Sequence, residues 1–370
     1  MISLIIECCK TDQNTTNIKK FISDIHNWKE FINLAFSHGV FPLVYHTLKT
    51  HDNRIPNNIL KSMKTYNRSI AQQNMLMSAE LIKVMKLLKE NNIEAIAFKG
   101  PTLAQMAYGD IALRQYADLD ILIQKDDVYK VYELFKNNYT RSLQRSENQE
   151  DIWFKYAHDL GLTGANGIHI EFHWRMLDSD HPINLNDIDF YSSIQTTTFK
   201  QNSMKIISNE EFLIYLCVHG SKHMFERIEW VADIDRFIRI QNIDWDKFTN
   251  LLQNKNYQKF VYLGLTLAHK LFSTPLINAH IYSTKDINTV NQHIFNLWNQ
   301  RLSFNNKNNM KYMLKLFNSN FDKVAYMHKI YLKPTFTEYW YINLPKSLYF
   351  LYYPIRQYLL LKKYFLDKSK

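Results

Sequence analysis

Glycine and proline are scarce in this chain, with 8 of each in 370 residues. So few breakers leave little means of ending a helix, so helices run long wherever the apolar spacing allows. The scarcity is also uneven. Gly100, Gly109, Gly161, Gly164 and Gly167 all fall in one window, which must hold most of the tight turns and strands. The fold class implied is α+β and helix-rich, a small mixed β-sheet core flanked by N-terminal and C-terminal helical regions. The expected division is 1–92 helical, 93–207 sheet-bearing core, and 208–370 helical.

The local patterns support that division. "IKKFISDIHNWKEFINLAF" repeats apolar residues at Ile18, Phe21, Ile22, Ile25, Trp28 and Phe31, three and four apart. Pro56 opens a second helical pattern that runs to Asn91 or Asn92. From 93 the period shortens. "IEAIAF" (93–98) and "LDILI" (119–123) read as buried strands, with "PTLAQMAY" a helix between them and "DDVYKVYELFKNN" a helix after. "DIWFKYAHDL" (151–160) and "GIHIEFHW" (167–174) read as two further strands around a glycine-rich bend, "GLTGANG". Beyond 208 the pattern is helical to the end, and Ser208 and Glu211 have capping-box spacing.

Hydrophobic residues make up 46% and charged residues 22%, a globular rather than disordered balance. Cys8, Cys9 and Cys217 form neither a disulfide framework nor a zinc spacing. A reducing, cytoplasmic location is expected. The start, "MISLIIECCKTDQ", lacks the basic n-region and apolar length of a signal peptide, and no apolar run is long enough for a transmembrane segment. The whole net charge of +10 sits in residues 301–370, where 13 Lys and Arg meet only Asp322, Glu338 and Asp367. That basic end suits an anionic partner such as RNA, a phosphate-bearing substrate or a membrane surface. The bland alternative is a solvated helical face.

In "DLDILI" the side chains of Asp118 and Asp120 project to one side of a strand. Two neighbouring carboxylates ionise cheaply when a cation lies between them, and oxygen ligands suit Mg²⁺ or Mn²⁺. Otherwise they are two solvated aspartates ending a strand. In "HIEFHW", Glu171 alternates away from Ile170 and Phe172 and stands between His169 and His173. Adjacent strands would bring it beside Asp118 and Asp120, and three carboxylates on two strands meet the needs of two-metal phosphoryl transfer. Gly100, lacking a Cβ, would let a phosphate approach the amides of the next helix, with Lys99 adding charge and Thr102 a hydroxyl. An ordinary strand-to-helix turn is the competing reading of Lys99-Gly100. Arg114 reaches a phosphate or caps the preceding helix.

His219 and His223 continue the stripe of Phe212 and Leu216. They read as substrate or phosphate contacts or as core histidines, with Lys222 a candidate triphosphate ligand. His219 and His223, like His169 and His173, also have zinc spacing, although no glutamate follows His219 as in metalloproteases. Trp230 either stacks on a base or packs in the core. Asp233 is placed to orient a histidine or Lys222.

Taken in order, "FKGPTLAQMAYGDIALRQYADLDILI", "IHIEFHWRM", "HGSKHMFERIEWVADIDRF" and "LPKSLYFLYYPIRQYLLLKKY" resemble the bacterial uncharacterised nucleotidyltransferases, within the polymerase-β-type superfamily. By that likeness Gly100 matches the phosphate-loop glycine, Asp118 and Asp120 the metal-binding pair, and Glu171 the third carboxylate. The superfamily's usual Gly-Ser is Gly100-Pro101 here, and the stretch from Gly100 to Asp118 is longer than usual. The resemblance implies transfer of a nucleoside monophosphate from an NTP, with Mg²⁺ or Mn²⁺, to a hydroxyl or phosphate of a metabolite, tRNA or protein. Two other classes compete with it: a non-catalytic nucleotide- or RNA-binding module, and a zinc-dependent hydrolase using the four histidines.

Overall fold

Four short helices precede a long one: α1 (Ile2–Cys9), α2 (Thr15–Ser23), α3 (Trp28–Ser37), α4 (Phe41–Leu48) and α5 (Asn57–Glu90). The apolar pattern over 18–31 is split between α2 and α3 because asparagines start each of them. The side chains of Asn14 and Asn27 accept the N–H groups of Asn17 and Glu30. Free of glycine and proline, α5 runs for 34 residues. The computed structural model describes residues 1–370 except 143–145, 178–182, 184, 186, 254, 279–281, 301–305 and 363–370.

The core then alternates strands and helices. These are β1 (Ala95–Ala97), α6 (Gly100–Tyr108), β2 (Asp118–Ile123), α7 (Val128–Phe135), β3 (Tyr139–Arg141), α8 (Glu147–Tyr156), β4 (Asp159–Gly164) and β5 (His169–His173). They form one sheet in the order β1-β2-β5-β4-β3, with β2 parallel to β5 and the other pairs antiparallel. The sheet is mixed, as expected. Across the parallel pair Asp118 lies opposite His169 and Asp120 opposite Glu171.

Two expectations need correction. Residues 151–156 are helical, because Ser146 and Gln149 make a reciprocal capping box that starts α8. The strand begins only at Asp159 and takes in Gly161 and Gly164, so the glycine-rich bend shrinks to the few residues after Gly164. A hairpin that the sequence did not suggest, β6 (Gln195–Phe199) and β7 (Asn202–Ile206), forms a separate two-stranded sheet. Its turn residues, Lys200 and Gln201, both have positive φ, a geometry ordinarily announced by glycine or asparagine.

The rest of the described chain is helical: α9 (Asn209–Lys222), α10 (Ile228–Ile240), α11 (Trp245–Leu252), α12 (Gln258–Phe272), α13 (Lys285–Gln300), α14 (Asn306–Leu316), α15 (Asn320–Tyr331), α16 (Phe336–Tyr341) and α17 (Tyr352–Leu361). Ser208 precedes α9 but its side chain makes no capping bond. Glu211 accepts the hydroxyl of Ser193 instead, so the expected capping box does not close.

Two apolar clusters sandwich the sheet. Leu122 and Ile96 join a cluster that unites Phe31 and Val44 with Phe212, Val231 and Phe260. Ile121 and Ile123 face the other, with Leu81, Phe135 and Ile170. On β2 the Asp118–Asp120–Leu122 side therefore looks toward the first cluster, where α6 and α9 both pack on α10. None of the described helices is long and apolar enough to cross a membrane.

Candidate active site

A cavity of about 300 Å³ opens between the sheet and these helices. From the sheet side it is lined by Lys99, Gly100, Asp118, Asp120, Glu171 and His173, and from the helical side by Arg114, His219, Lys222, His223 and Trp230. Gly100 makes the junction possible. Its φ is +53°, and a Cβ there would lie 2.9 Å from the backbone oxygen of Asp118. Only glycine lets α6 begin directly against β2, with its positive N-terminal end at the cavity.

The carboxylates form a graded set. Lys99 Nζ donates to Asp120 Oδ1 at 3.2 Å, and His173 Nε2 lies 3.1 Å from that oxygen and 3.2 Å from Glu171 Oε2. On the other side His169 Nε2 stands 3.6 Å from Glu171 Oε1. Asp120 is only 2% exposed, and its Oδ2 has no hydrogen-bond partner among the described residues. Burial works to raise its pKa, but Lys99 and then His173 outweigh burial and hold it low. Hydrogen bonds from His169 and then His173 hold Glu171 well below the usual carboxylate range. Asp118 goes the other way, pushed up by burial and then by the charges of Asp120 and Glu171. His173 is raised to about 9, because its bonds to the two carboxylates overcome a burial effect of opposite sign.

Ligand atoms of Asp120, Glu171 and His173 lie within 4.8 Å of one another, the one such three-residue group among the described residues. Asp118 is outside that group but lines the same cavity. A buried carboxylate oxygen without a partner, beside a second carboxylate, fits a hard divalent cation. His173 is the residue that sequence reasoning left in the zinc alternative. Its signal was the period-two alignment with Glu171. His219 and His223 take no part in the group. Their rings pack at 5.5 and 5.3 Å from half-buried Trp230, and burial, then the Lys99 charge, keeps His219 neutral.

Arg114 is already engaged. Its Nε and Nη2 donate to Asp233 at 2.9 and 3.0 Å, and it meets Glu229 at 2.9 Å. It also stands at the C-cap of the short 3-10 helix Ile111–Leu113, and both its carboxylate partners are buried. Asp233 correspondingly holds Arg114 and accepts from the Tyr108 hydroxyl at 2.7 Å. Behind this wall lies the N-terminal region. A Cβ on Gly39, whose φ is +71°, would sit 1.7 Å from Glu229 Oε2, and the His38 carbonyl accepts the Glu229 N–H at 3.1 Å. Thr102 is buried within α6 and does not line the cavity.

A small mixed sheet whose Asp-x-Asp strand pairs in parallel with an acidic strand, faced by a glycine-led helix start, is a nucleotidyltransferase-like architecture. The chain belongs to the family described as uncharacterised nucleotidyltransferases, whose model matches residues 24–273, about two thirds of its length. Among solved structures it is similar to an antigenic nucleotidyltransferase-like protein from Paracoccidioides brasiliensis, at 15% identity over 51% of this chain and 91% of that one. The TM-score is 0.31, too slight a likeness to carry an argument. No curated protein matches the chain.

Proposed function

We propose that the protein transfers a nucleoside monophosphate from an NTP to a hydroxyl or phosphate of an acceptor, with Mg²⁺ or Mn²⁺ held by Asp118, Asp120 and Glu171. The observation that carries this reading is the register of β2 on β5. It sets Glu171 opposite Asp120, whose buried Oδ2 has no hydrogen-bond partner among the described residues. A divalent cation there would offset the charge of the triphosphate and of the departing pyrophosphate. In the transfer, an acceptor oxygen bonds to the α-phosphorus as the bond to the β-phosphate breaks.

The chain's own residues have distinct parts in this reading. Gly100 offers its own N–H at the start of α6 to a phosphate, since Pro101 has none and the Thr102 and Leu103 N–H groups donate to the Lys99 carbonyl, and Lys99 presents its ammonium from the same turn. His173 holds Asp120 and Glu171 in place through Nε2. Lys222, with His219 and His223 as neutral imidazoles, meets the nucleotide from the opposite wall. Arg114 braces that wall through Asp233 and Glu229, and Thr102 takes no direct contact.

Incubation with each labelled NTP, Mg²⁺ and cell extract tests the proposal. Label should pass to one acceptor, and Asp118→Asn should abolish the transfer. NTP retained without any labelled product would instead indicate a non-catalytic binding module. Stoichiometric tightly bound zinc would favour the hydrolase.

A further inference from the structure

The C-terminal helices present the wrong face to water. On α15 the outward positions are Phe321, Val324, Ala325 and His328, followed just past its end by Leu332. They lie three and four residues apart on one stripe, and no residue of α15 is fully buried. On α17 the outward stripe is Tyr353, Pro354, Gln357, Tyr358 and Leu361. The two helices are tied together where Arg356 and Gln357 donate to the carbonyls of Ile330 and Tyr331 at 2.7 and 2.6 Å. Between α16 and α17 the chain exposes Leu348 and Phe350 as well, the latter at 63%.

This concentration is specific to the segment. Ten of the sixteen large apolar side chains exposed among the described residues lie between Phe321 and Leu361, with Phe321 at 80%. A solvated helix turns its polar stripe outward, and a large exposed apolar surface marks an interaction site. The charge here is mostly positive. From Ser319 to Lys362 six lysines and arginines accompany two acids, Asp322 and Glu338. Glu338 is buried against Arg356 at 3.0 Å, so it offers nothing outward.

We propose that α15, α17 and the turn before α17 rest on an anionic lipid surface, as a peripheral attachment. Val324, Leu332, Leu348 and Leu361 have no flat face on which a base could stack, whereas the acyl boundary accepts aliphatic and aromatic side chains alike. Lys323 and exposed Lys362 complement acidic headgroups, whereas Arg356 is taken up by Glu338 and Lys346 by Asp151. The attachment is independent of the proposed transfer reaction.

Sedimentation of the full chain with vesicles tests it. The protein should bind vesicles of phosphatidylcholine mixed with phosphatidylglycerol, and bind pure phosphatidylcholine about tenfold more weakly. Added salt should weaken the anionic case. Combining Phe321→Ser, Leu332→Ser and Phe350→Ser should weaken it on the order of 100-fold, since three apolar side chains lose their burial. Lys323→Glu with Lys362→Glu, which leaves every apolar contact in place, should abolish the preference for anionic vesicles. Equal affinity for both vesicle types, or binding untouched by the serine variant, overturns the proposal. So does binding of polyuridylate, or a dimer, that the serine variant destroys in a protein indifferent to vesicles.

Discussion

Asp118 and Asp120 are two residues apart on one strand, yet their surroundings pull them in opposite directions. Asp120 answers two cations, Lys99 and His173, whereas Asp118 answers two anions. Their amides should therefore behave differently. Asp118→Asn removes a repelled charge, so stability should hold or rise while transfer falls on the order of 10² or more. Asp120→Asn takes the carboxylate from half-buried Lys99 and leaves buried His173 only Glu171, so unfolding should become easier by roughly 3 kcal/mol while transfer is also lost. Denaturant melts beside single-turnover assays separate the two. Equal destabilisation would contradict the gradation. His38 supplies a pH signature away from the cavity. Burial, then the Arg227 charge, lowers it to about 4 from an ordinary 6.5. The unfolded chain takes up this proton first, so stability is complete above about pH 6.5 and is lost as pH falls toward 4. The loss approaches roughly 3 kcal/mol. His38→Asn should make that dependence shallower between pH 7 and 4.5, leaving the share of the same sign from buried His219 and His223.

At the level of elements, the junction of β1, α6 and β2 is closed backbone against backbone. Gly100→Ala combines a left-handed φ with a collision against the Asp118 backbone, which has no rotamer with which to yield. It should cost roughly 1–2 kcal/mol or more and should move Asp118, so transfer falls further than stability alone explains. Retained activity with unchanged melting would contradict the close approach. Much of this was legible because alternation is local: Leu119, Ile121 and Ile123 announce β2, and Ile168, Ile170 and Phe172 announce β5. Other features were hidden for physical reasons. The cap at Ser146 starts a helix that outweighs an apolar run resembling a strand, and the β6–β7 turn uses two residues that rarely adopt positive φ. The bond from Arg114 to Asp233 spans 119 positions, and no periodicity reports a contact of that kind. Burial decided against Thr102 as well, since a threonine in the first turn of a helix looks the same in sequence whether it faces ligand or core.

For the molecule as a whole, the apolar cluster above the sheet draws on residues from Ile2 to Phe317. We propose that 1–92, 93–207 and 208–370 are successive segments of one cooperative unit. Unfolding should then show a single transition, coincident by far-UV circular dichroism and tryptophan fluorescence. The isolated 93–207 segment should fail to fold, lacking the α5 residues Leu81, Val84 and Leu88 that pack beneath its sheet. Two separated transitions, or a folded 93–207, would show the opposite. The parallel seam between β2 and β5 also has a meaning in time. Asp120 and Glu171 are 51 positions apart, and α7, β3, α8 and β4 must be laid down between them. A parallel pair so separated closes late, after its local helices. On the ribosome the two aspartates emerge well before the glutamate and histidine that complete the set, and the α9 wall follows later still. In the proposed reading a cation meets the whole set only once β2 and β5 have paired, so such a centre would follow folding rather than act as its template.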